Sequence, residues 1–366
     1  MKLKYNILFA AVILLAFSCK NKSQDDNSIT VSPEAGTSYK TGDVVQVKAH
    51  YAANVKADSV VFLVDSARVG ATKDSSAFAL KTDSMPVGPR VITARVYSGG
   101  KPQESSTNIV LMPAKAPVEY TFKVEKTFPH DTGSYTEGLL YQDGSLYESG
   151  GGYLDPPPGQ VKDGQSSLRR VDLATGKVLQ KTMVDPKVFA EGISIVGDKI
   201  IQLTYHEKIA NIYDKTTLKL LKTIPFNTGV EGWGMCFDGK KLYMDDSTNR
   251  IWFLDKDTYR QTGSIDVYDD KGAVTKINEL EYIEGKIYAN IWTTNNIIII
   301  DPKTGAVIGK IDLTNLYPEK TRRVGADVLN GIAYDAATKR IFITGKKWPK
   351  MYQVTFAPQP PKGGAK

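Results

Sequence analysis

At 366 residues and a formal net charge of +7, the chain has material for two or three domains with a sizeable core. The positive charge is spread thinly and no Lys/Arg run carries interleaved aromatics, which argues against nucleic acid as a partner. Two cysteines and three scattered histidines (His50, His130, His206) give neither a disulfide framework nor a local transition-metal motif, so no metal or other cofactor is expected; the count says less about calcium, which accepts backbone oxygens.

The N-terminus reads as an export signal. Lys2 and Lys4 form a charged leader, and Ile7 to Phe17 is an apolar stretch too short to span a bilayer comfortably. Ala16-Phe17-Ser18-Cys19 resembles a bacterial lipoprotein cleavage box, so residues 1–18 are expected to be removed and Cys19 lipidated. Residues 19–27 then form a polar tether. This expectation places the protein at the bacterial cell envelope, on the periplasmic face or the outer-membrane surface, held to the membrane only by its lipid. The folded part retains one thiol, Cys236, whose setting in Met235-Cys236-Phe237 suits a small core residue.

Residues 28–112 read as a small all-β module. Val44–Ala49 and Val91–Val96 alternate, Val60–Val64 is a buried run, and turns fall at Thr41-Gly42-Asp43 and Pro86-Val87-Gly88-Pro89. These phrases resemble bacterial immunoglobulin-type sandwich modules, and a spacer or docking role is expected. Residues 113–117, rich in Pro and Ala, are the linker.

From Val118 to Phe356 strands and turns follow one another with almost no helical periodicity. One phrase recurs: an acid or amide, usually a glycine, then a short apolar strand. It begins at Glu137, Glu191, Glu231, Glu279 and Asn330, with spacings of 54, 40, 48 and 51 residues, as expected of propeller blades. The fold class is therefore all-β, a five-bladed β-propeller preceded by a small immunoglobulin-like β-sandwich. Equivalent strands line the axis of a propeller, so the repeated polar position predicts a ring of four carboxylates and an amide at one mouth. Asp-containing turns such as Ile300-Asp301-Pro302-Lys303-Thr304-Gly305 read as structural. Thr121–Val124 is placed to close the ring against Met351–Val354, and residues 357–366 are expected to be a disordered tail.

Aromatic and polar residues cluster near the inner strands, at Gln202-Leu203-Thr204-Tyr205-His206, Trp233, Asn278, Trp292 and Lys346. Apolar walls over a polar floor suit a small ligand carrying an amine or amide. Ordered motifs sharpen this: Phe128-Pro129-His130-Asp131, Tyr135-Thr136-Glu137-Gly138-Leu139, Tyr147-Glu148-Ser149, Ser167-Leu168-Arg169, Phe189-Ala190-Glu191-Gly192-Ile193, Glu231-Gly232-Trp233-Gly234, Asn278-Glu279-Leu280-Glu281, Ala289-Asn290-Ile291-Trp292, Leu329-Asn330-Gly331-Ile332 and Gly345-Lys346-Lys347-Trp348-Pro349. Together they resemble the plant and bacterial glutamine cyclotransferases, five-bladed propellers that convert an N-terminal glutamine to pyroglutamate with loss of ammonia.

The resemblance implies a peptide or protein substrate with N-terminal glutamine, a monomer, and specific roles. Glu191 would carry protons, and Asn278 and Lys346 would bind and stabilise developing charge. Phe189, Trp233 and Trp292 would wall the pocket, with Glu137, Tyr205, Gln202, Glu231 and Asn330 as further substrate contacts. Two positions depart from the family pattern: Glu137 stands where glutamine is usual, and Tyr205 where tryptophan is frequent. Residues 154–164 form a Pro/Gly-rich insertion. These departures leave a second reading open, a catalytically inactive propeller that binds peptide N-termini or another small ligand.

Overall fold

A computed structural model describes residues 28–360. The export signal, Cys19, the tether and the last six residues lie outside the described residues. Residues 28–112 fold as two facing sheets. One has three strands (Thr30–Ser32, Val44–His50, Phe78–Lys81); the other has five, in the spatial order Thr37–Lys40, Lys101–Met112, Gly88–Ser98, Ser59–Val64, Ala67–Thr72. Alternation turns Val45, Val47 and Leu80 from the first sheet against Phe62, Ile92, Ala94, Ile109 and Leu111 from the second. The module is docked firmly on the next domain. The Val87 N–H donates to the Thr304 carbonyl at 2.8 Å, and Asp266 lies between Arg90 of the module at 3.5 Å and Arg250 of the propeller at 2.8 Å.

Four-stranded antiparallel blades follow. Blade 1 runs from Thr136 to Met183, blade 2 from Ala190 to Pro225, blade 3 from Met235 to Asp266 and blade 4 from Ile277 to Asp312. Blade 5 takes three strands from the C-terminus (Leu329–Asp335, Arg340–Gly345, Lys350–Pro358) and its outermost from Val118–Pro129. Closure by the N-terminal strand is thus as expected, but the register differs: Val354 pairs with Val124 and Met351 with Phe128. The closing strand also reaches blade 4, where Val118–Tyr120 pairs in parallel with Gly309–Ile311. The last strand continues past Phe356 to Pro358, and the Gln359 N–H donates to the Glu119 carbonyl at 2.8 Å. Residues 357 and 358 are therefore part of the sheet, and Gln359 is hydrogen-bonded to it, rather than belonging to a disordered tail.

Outer strands are joined by the Asp-capped turns. The carboxylates of Asp172, Asp214 and Asp255 each accept from both the N–H and the hydroxyl of a threonine three residues on. Among the described residues no helix is long and apolar enough to cross a membrane.

The ring at the axis differs in phase from the sequence reading. Blades 1, 2, 4 and 5 each carry an irregularity at the start of the inner strand; regular pairing then runs through Leu139, Ile193, Leu280 and Ile332, starting one residue earlier, at Gly138, in blade 1, and Met235 leads it in blade 3. Counting back two residues from each gives the equivalent ring residues Glu137, Glu191, Trp233, Asn278 and Asn330, spaced 54, 42, 45 and 52 residues apart. Two carboxylates, two amides and an indole occupy the ring, not four carboxylates and an amide. The next position is glycine in four blades because neighbouring strands approach there. A Cβ on Gly138 would lie 2.7 Å from the Ile193 nitrogen, on Gly192 2.4 Å from the Trp233 carbonyl oxygen, and on Gly234 2.2 Å from that of Asn278. Blade 4 has Glu279 there, and its carboxylate accepts from the N–H groups of Leu139 at 3.2 Å and Ile332 at 2.8 Å. Glu281 likewise accepts from the Tyr334 N–H at 3.0 Å. These two acids hold blades together.

Candidate active site

The ring opens into a cavity of about 430 Å3 lined by residues from every blade: Tyr135, Glu137, Phe189, Glu191, Tyr205, Glu231, Trp233, Ser247, Lys276, Asn278, Trp292 and Lys346. At its floor the Lys346 amine meets the Glu137 carboxylate at 2.7 Å, both side chains almost completely buried. The same amine lies 4.6 Å from the centre of the Tyr135 ring. Asn330 stands behind Glu137 and donates to the Thr136 carbonyl at 2.9 Å and to the second Glu137 oxygen at 3.4 Å.

Among the described residues Glu191, the other ring acid, makes no ion pair. Burial pushes its carboxyl well above the usual carboxylate range, the neighbouring Glu137 charge pushes further, and Lys346 opposes both. Asp245 and Glu231 add smaller repulsions. Burial also raises Glu137, against the pull of Lys346, while Asp327 and Asp163 raise it further. The two ring acids repel one another across the floor, so one proton is held more readily than none.

Aromatic rings make the walls. Phe189 has ring centres of Tyr153, Tyr205 and Tyr135 at 5.2, 5.9 and 6.4 Å. It fits because residue 151 is glycine, where a Cβ would lie 2.3 Å from the Phe189 ring. Tyr153 is held by its hydroxyl, which donates to Glu207 at 2.7 Å. Across the cavity Trp233 and Trp292 meet edge to face at 5.6 Å, and the Lys276 amine lies 5.5 Å from the Trp292 ring centre. The insertion at 154–164 is tied at its base, where the Tyr153 N–H donates to Asp163 at 3.0 Å; through Asp163 its charge reaches Tyr135 and Glu137 on the floor.

The cavity thus gathers Glu191, Lys346, Asn278, Glu137, Phe189, Tyr205, Trp233, Trp292 and Glu231. Two predicted contacts fall outside its lining. Gln202 is fully buried, with its amide nitrogen donating to Ser149 and its oxygen accepting from Tyr213, both at 2.9 Å, so it joins blades 1 and 2 and touches no ligand space. Asn330 is one layer back and acts on Glu137. Conversely, Tyr135, Ser247 and Lys276 line the cavity but were absent from the sequence-based set. Tyr135 had a signal: it stands two residues before Glu137, as Phe189 stands two before Glu191. Cys236 sits in a hydrophobic cluster with Tyr243 and Ile251, away from the cavity. Among the described residues no three His, Cys, Asp or Glu side chains converge as metal ligands. A second cavity, of about 370 Å3, lies at the junction of module and propeller, with mostly apolar walls such as Val87, Pro113, Val118 and Val307.

A family model described as glutamine cyclotransferase matches residues 94–356, a span that holds every residue of the first cavity. The chain belongs to the glutamine cyclotransferase family. A glutaminyl-peptide cyclotransferase of Arabidopsis thaliana is 37% identical over 246 residues, covering 66% of this chain and 73% of that protein. The crystal structure of Myxococcus xanthus glutaminyl cyclase matches with a TM-score of 0.59 at 31% identity, covering 67% of this chain and 100% of its own. Within this cyclotransferase the Glu137–Lys346 contact pairs the buried amine of the floor with one of its two ring acids.

Proposed function

We propose that this cavity cyclises the N-terminal glutamine of peptides or proteins to pyroglutamate with release of ammonia. The observation that carries the reading is the convergence of Glu191, Asn278 and Lys346, from blades 2, 4 and 5, on one aromatic-walled cavity in a chain of this family. The substrate supplies its own nucleophile. Its α-amine attacks the side-chain amide carbonyl, a C–N bond closes a five-membered ring, and the oxygen takes up negative charge. Glu191 accepts the proton that the amine loses and delivers it to the departing nitrogen, so that the amide C–N bond breaks to neutral ammonia. Burial suits it to this work, because a carboxyl raised above its ordinary range takes up a proton more readily than a free one. Lys346 and Asn278 stabilise the oxyanion and leaving group. The ring faces of Phe189, Trp233 and Trp292 fold the side chain back and exclude water.

One observation favours a different reading. The Lys346 amine is already engaged by Glu137 at 2.7 Å, which reduces the charge available to an oxyanion and suits a propeller that only binds peptide N-termini. Ammonia release from glutamine-initiated peptides, measured with and without a strong chelator over a broad pH range, decides between them. Chelator-resistant turnover supports the acid/base mechanism. A folded protein without turnover supports the binding reading.

The sandwich is read as a rigid spacer of immunoglobulin-like type, and Cys19 as a lipid anchor that holds a monomeric enzyme at the cell envelope. The motif at Ala16–Cys19 supports the anchor. Its test is transfer of the Cys19→Ser protein from the membrane to the soluble fraction.

A further inference from the structure

Behind the floor, outside the cavity lining, a buried histidine lies between the two segments that carry the Glu137–Lys346 pair. The His130 Nδ1 is 2.7 Å from the Trp348 carbonyl oxygen, and Nε2 is 3.0 Å from the Glu148 Oε1, with both side chains almost wholly buried. A carbonyl oxygen can only accept. Glu148 accepts as well: its Oε1 takes the Thr136 hydroxyl at 2.7 Å, and the Arg169 guanidinium stands close by. Both ring nitrogens therefore face acceptors, and only the doubly protonated ring donates to both.

Each acceptor is linked to one member of the pair. Trp348 belongs to the turn that presents Lys346: its N–H donates to the Gly345 carbonyl at 3.1 Å, and its indole N–H to the Asp327 carbonyl at 2.8 Å. The same turn is held by the Lys347 N–H on the Ser134 carbonyl at 2.7 Å and the His130 N–H on the Pro349 carbonyl at 3.1 Å. Glu148 holds the hydroxyl of Thr136, the residue preceding Glu137.

We propose that His130, carried as an imidazolium, is a positioning residue for the reaction: with Glu148 it clasps the Lys346 turn to the Glu137 strand and sets the contact at the pocket floor. What that contact does for turnover rests on the cyclotransferase reading. Loss of the proton leaves one nitrogen without a hydrogen, facing an acceptor oxygen at 3.0 Å or less, and the clasp opens on that side. The charged groups around the ring are Glu148 on the second strand of blade 1, Asp131 next in sequence and Arg169 on the third strand; Arg169 pairs with Asp131 at 2.8 Å. Lys181, on the outer strand of that blade, lies within the field of Asp131, Glu148 and Arg169. Burial alone would lower His130, but Glu148, the Trp348 carbonyl and Asp131 outweigh it and hold it above the ordinary imidazole value. The clasp therefore holds below that raised value and opens as the pH rises through it.

The test uses the purified protein and its three histidines, few enough to resolve by nitrogen-15 NMR. His130 is expected to show two protonated ring nitrogens at pH 7; one protonated nitrogen would overturn the proposal whether or not the protein turns over glutamine peptides. Wild-type turnover is measured alongside, so a failed activity reading is seen separately. With wild-type turnover established, His130→Gln and Glu148→Gln should each lower kcat about 10- to 100-fold, as expected of a displacement of about 1 Å at the reacting groups, with KM changed less than about twofold. The wild-type alkaline decline in kcat should be lost in His130→Gln. Folded variants with wild-type kcat and an unchanged pH profile would also overturn the proposal.

Discussion

The Glu137 carboxylate and the Lys346 amine meet at 2.7 Å, 209 residues apart in sequence, with both side chains almost fully withdrawn from water. A buried pair of this kind is costly to break from one side, because the remaining charge has neither solvent nor partner. Lys346→Met should therefore destabilise the protein by about 3–5 kcal/mol and reduce kcat at least about 100-fold. Replacing both, Glu137→Gln with Lys346→Met, should restore most of the melting temperature but not turnover. Urea unfolding and ammonia release separate the two effects. A single variant as stable as wild type would show that the pair is not isolated from water in solution.

Glu191→Gln should abolish turnover, with a loss of about 100- to 10,000-fold, the range expected of general acid/base catalysis. Its effect on stability should have the opposite sign. A carboxyl raised by burial is more easily ionised when unfolded, so the wild type loses stability as pH rises from the unfolded value, near 4.3, toward the folded one. The amide has no such penalty. The variant should melt higher than wild type at pH 8 and close to it at pH 4; a lower melting temperature at pH 8 would contradict the raised carboxyl.

In the proposed reaction the aromatic walls hold the substrate side chain before and during cyclisation, so their loss should act on KM. Trp292→Ala should raise KM about tenfold, equivalent to about 1.4 kcal/mol, with kcat nearly unchanged. Gly151→Ala tests the opposite wall from behind. Its methyl would stand 2.3 Å from the Phe189 ring and 2.9 Å from the Glu137 side chain, so Phe189 must move into the cavity. Steady-state kinetics should show a KM rise for this variant too, and wild-type values would mean that the wall yields freely.

Strands with apolar alternation were legible because burial on one face fixes their pattern, as at Val44–His50 and Ser59–Val64. Lys101–Met112 was not, because its first eight residues, Lys-Pro-Gln-Glu-Ser-Ser-Thr-Asn, are largely exposed and are kept extended by pairing with Gly88–Ser98. The repeat was visible but its phase was not. In blade 4 an acid, Glu279, stands where the other blades have glycine, and in blade 3 the ring residue is Trp233, so the recurring acid pointed to Glu279 and Glu231, one residue after and two before the true ring positions. Gln202 and Asn330 show the limit of motif reasoning: sequence marks them as inner-strand amides but cannot tell the lining from the layer behind it. Lys346 carries no periodic signal, since it sits on a turn after the second strand of blade 5, and only the similarity of its motif revealed it.

Glu279 gives the last prediction. It fills the place that glycine holds in the other four blades, and its two oxygens serve one N–H each from blades 1 and 5. Glu279→Ala would strand both donors in a buried setting, at about 1–3 kcal/mol for each. Glu279→Gln keeps one acceptor and turns an amide N–H2 toward the other donor, so it should lose roughly half as much near pH 5. Burial and the neighbouring Glu281 raise the wild-type carboxyl, so the wild type itself loses stability as pH rises above the unfolded carboxyl range. The gap between wild type and Glu279→Gln should narrow from pH 5 to pH 8. Because Glu279 is not part of the cavity lining, folded variants should keep kcat within about twofold of wild type. Chemical denaturation across that pH range reads the result. An alanine variant as stable as wild type would mean that the two N–H groups find other partners and that the acid does not hold the ring closed.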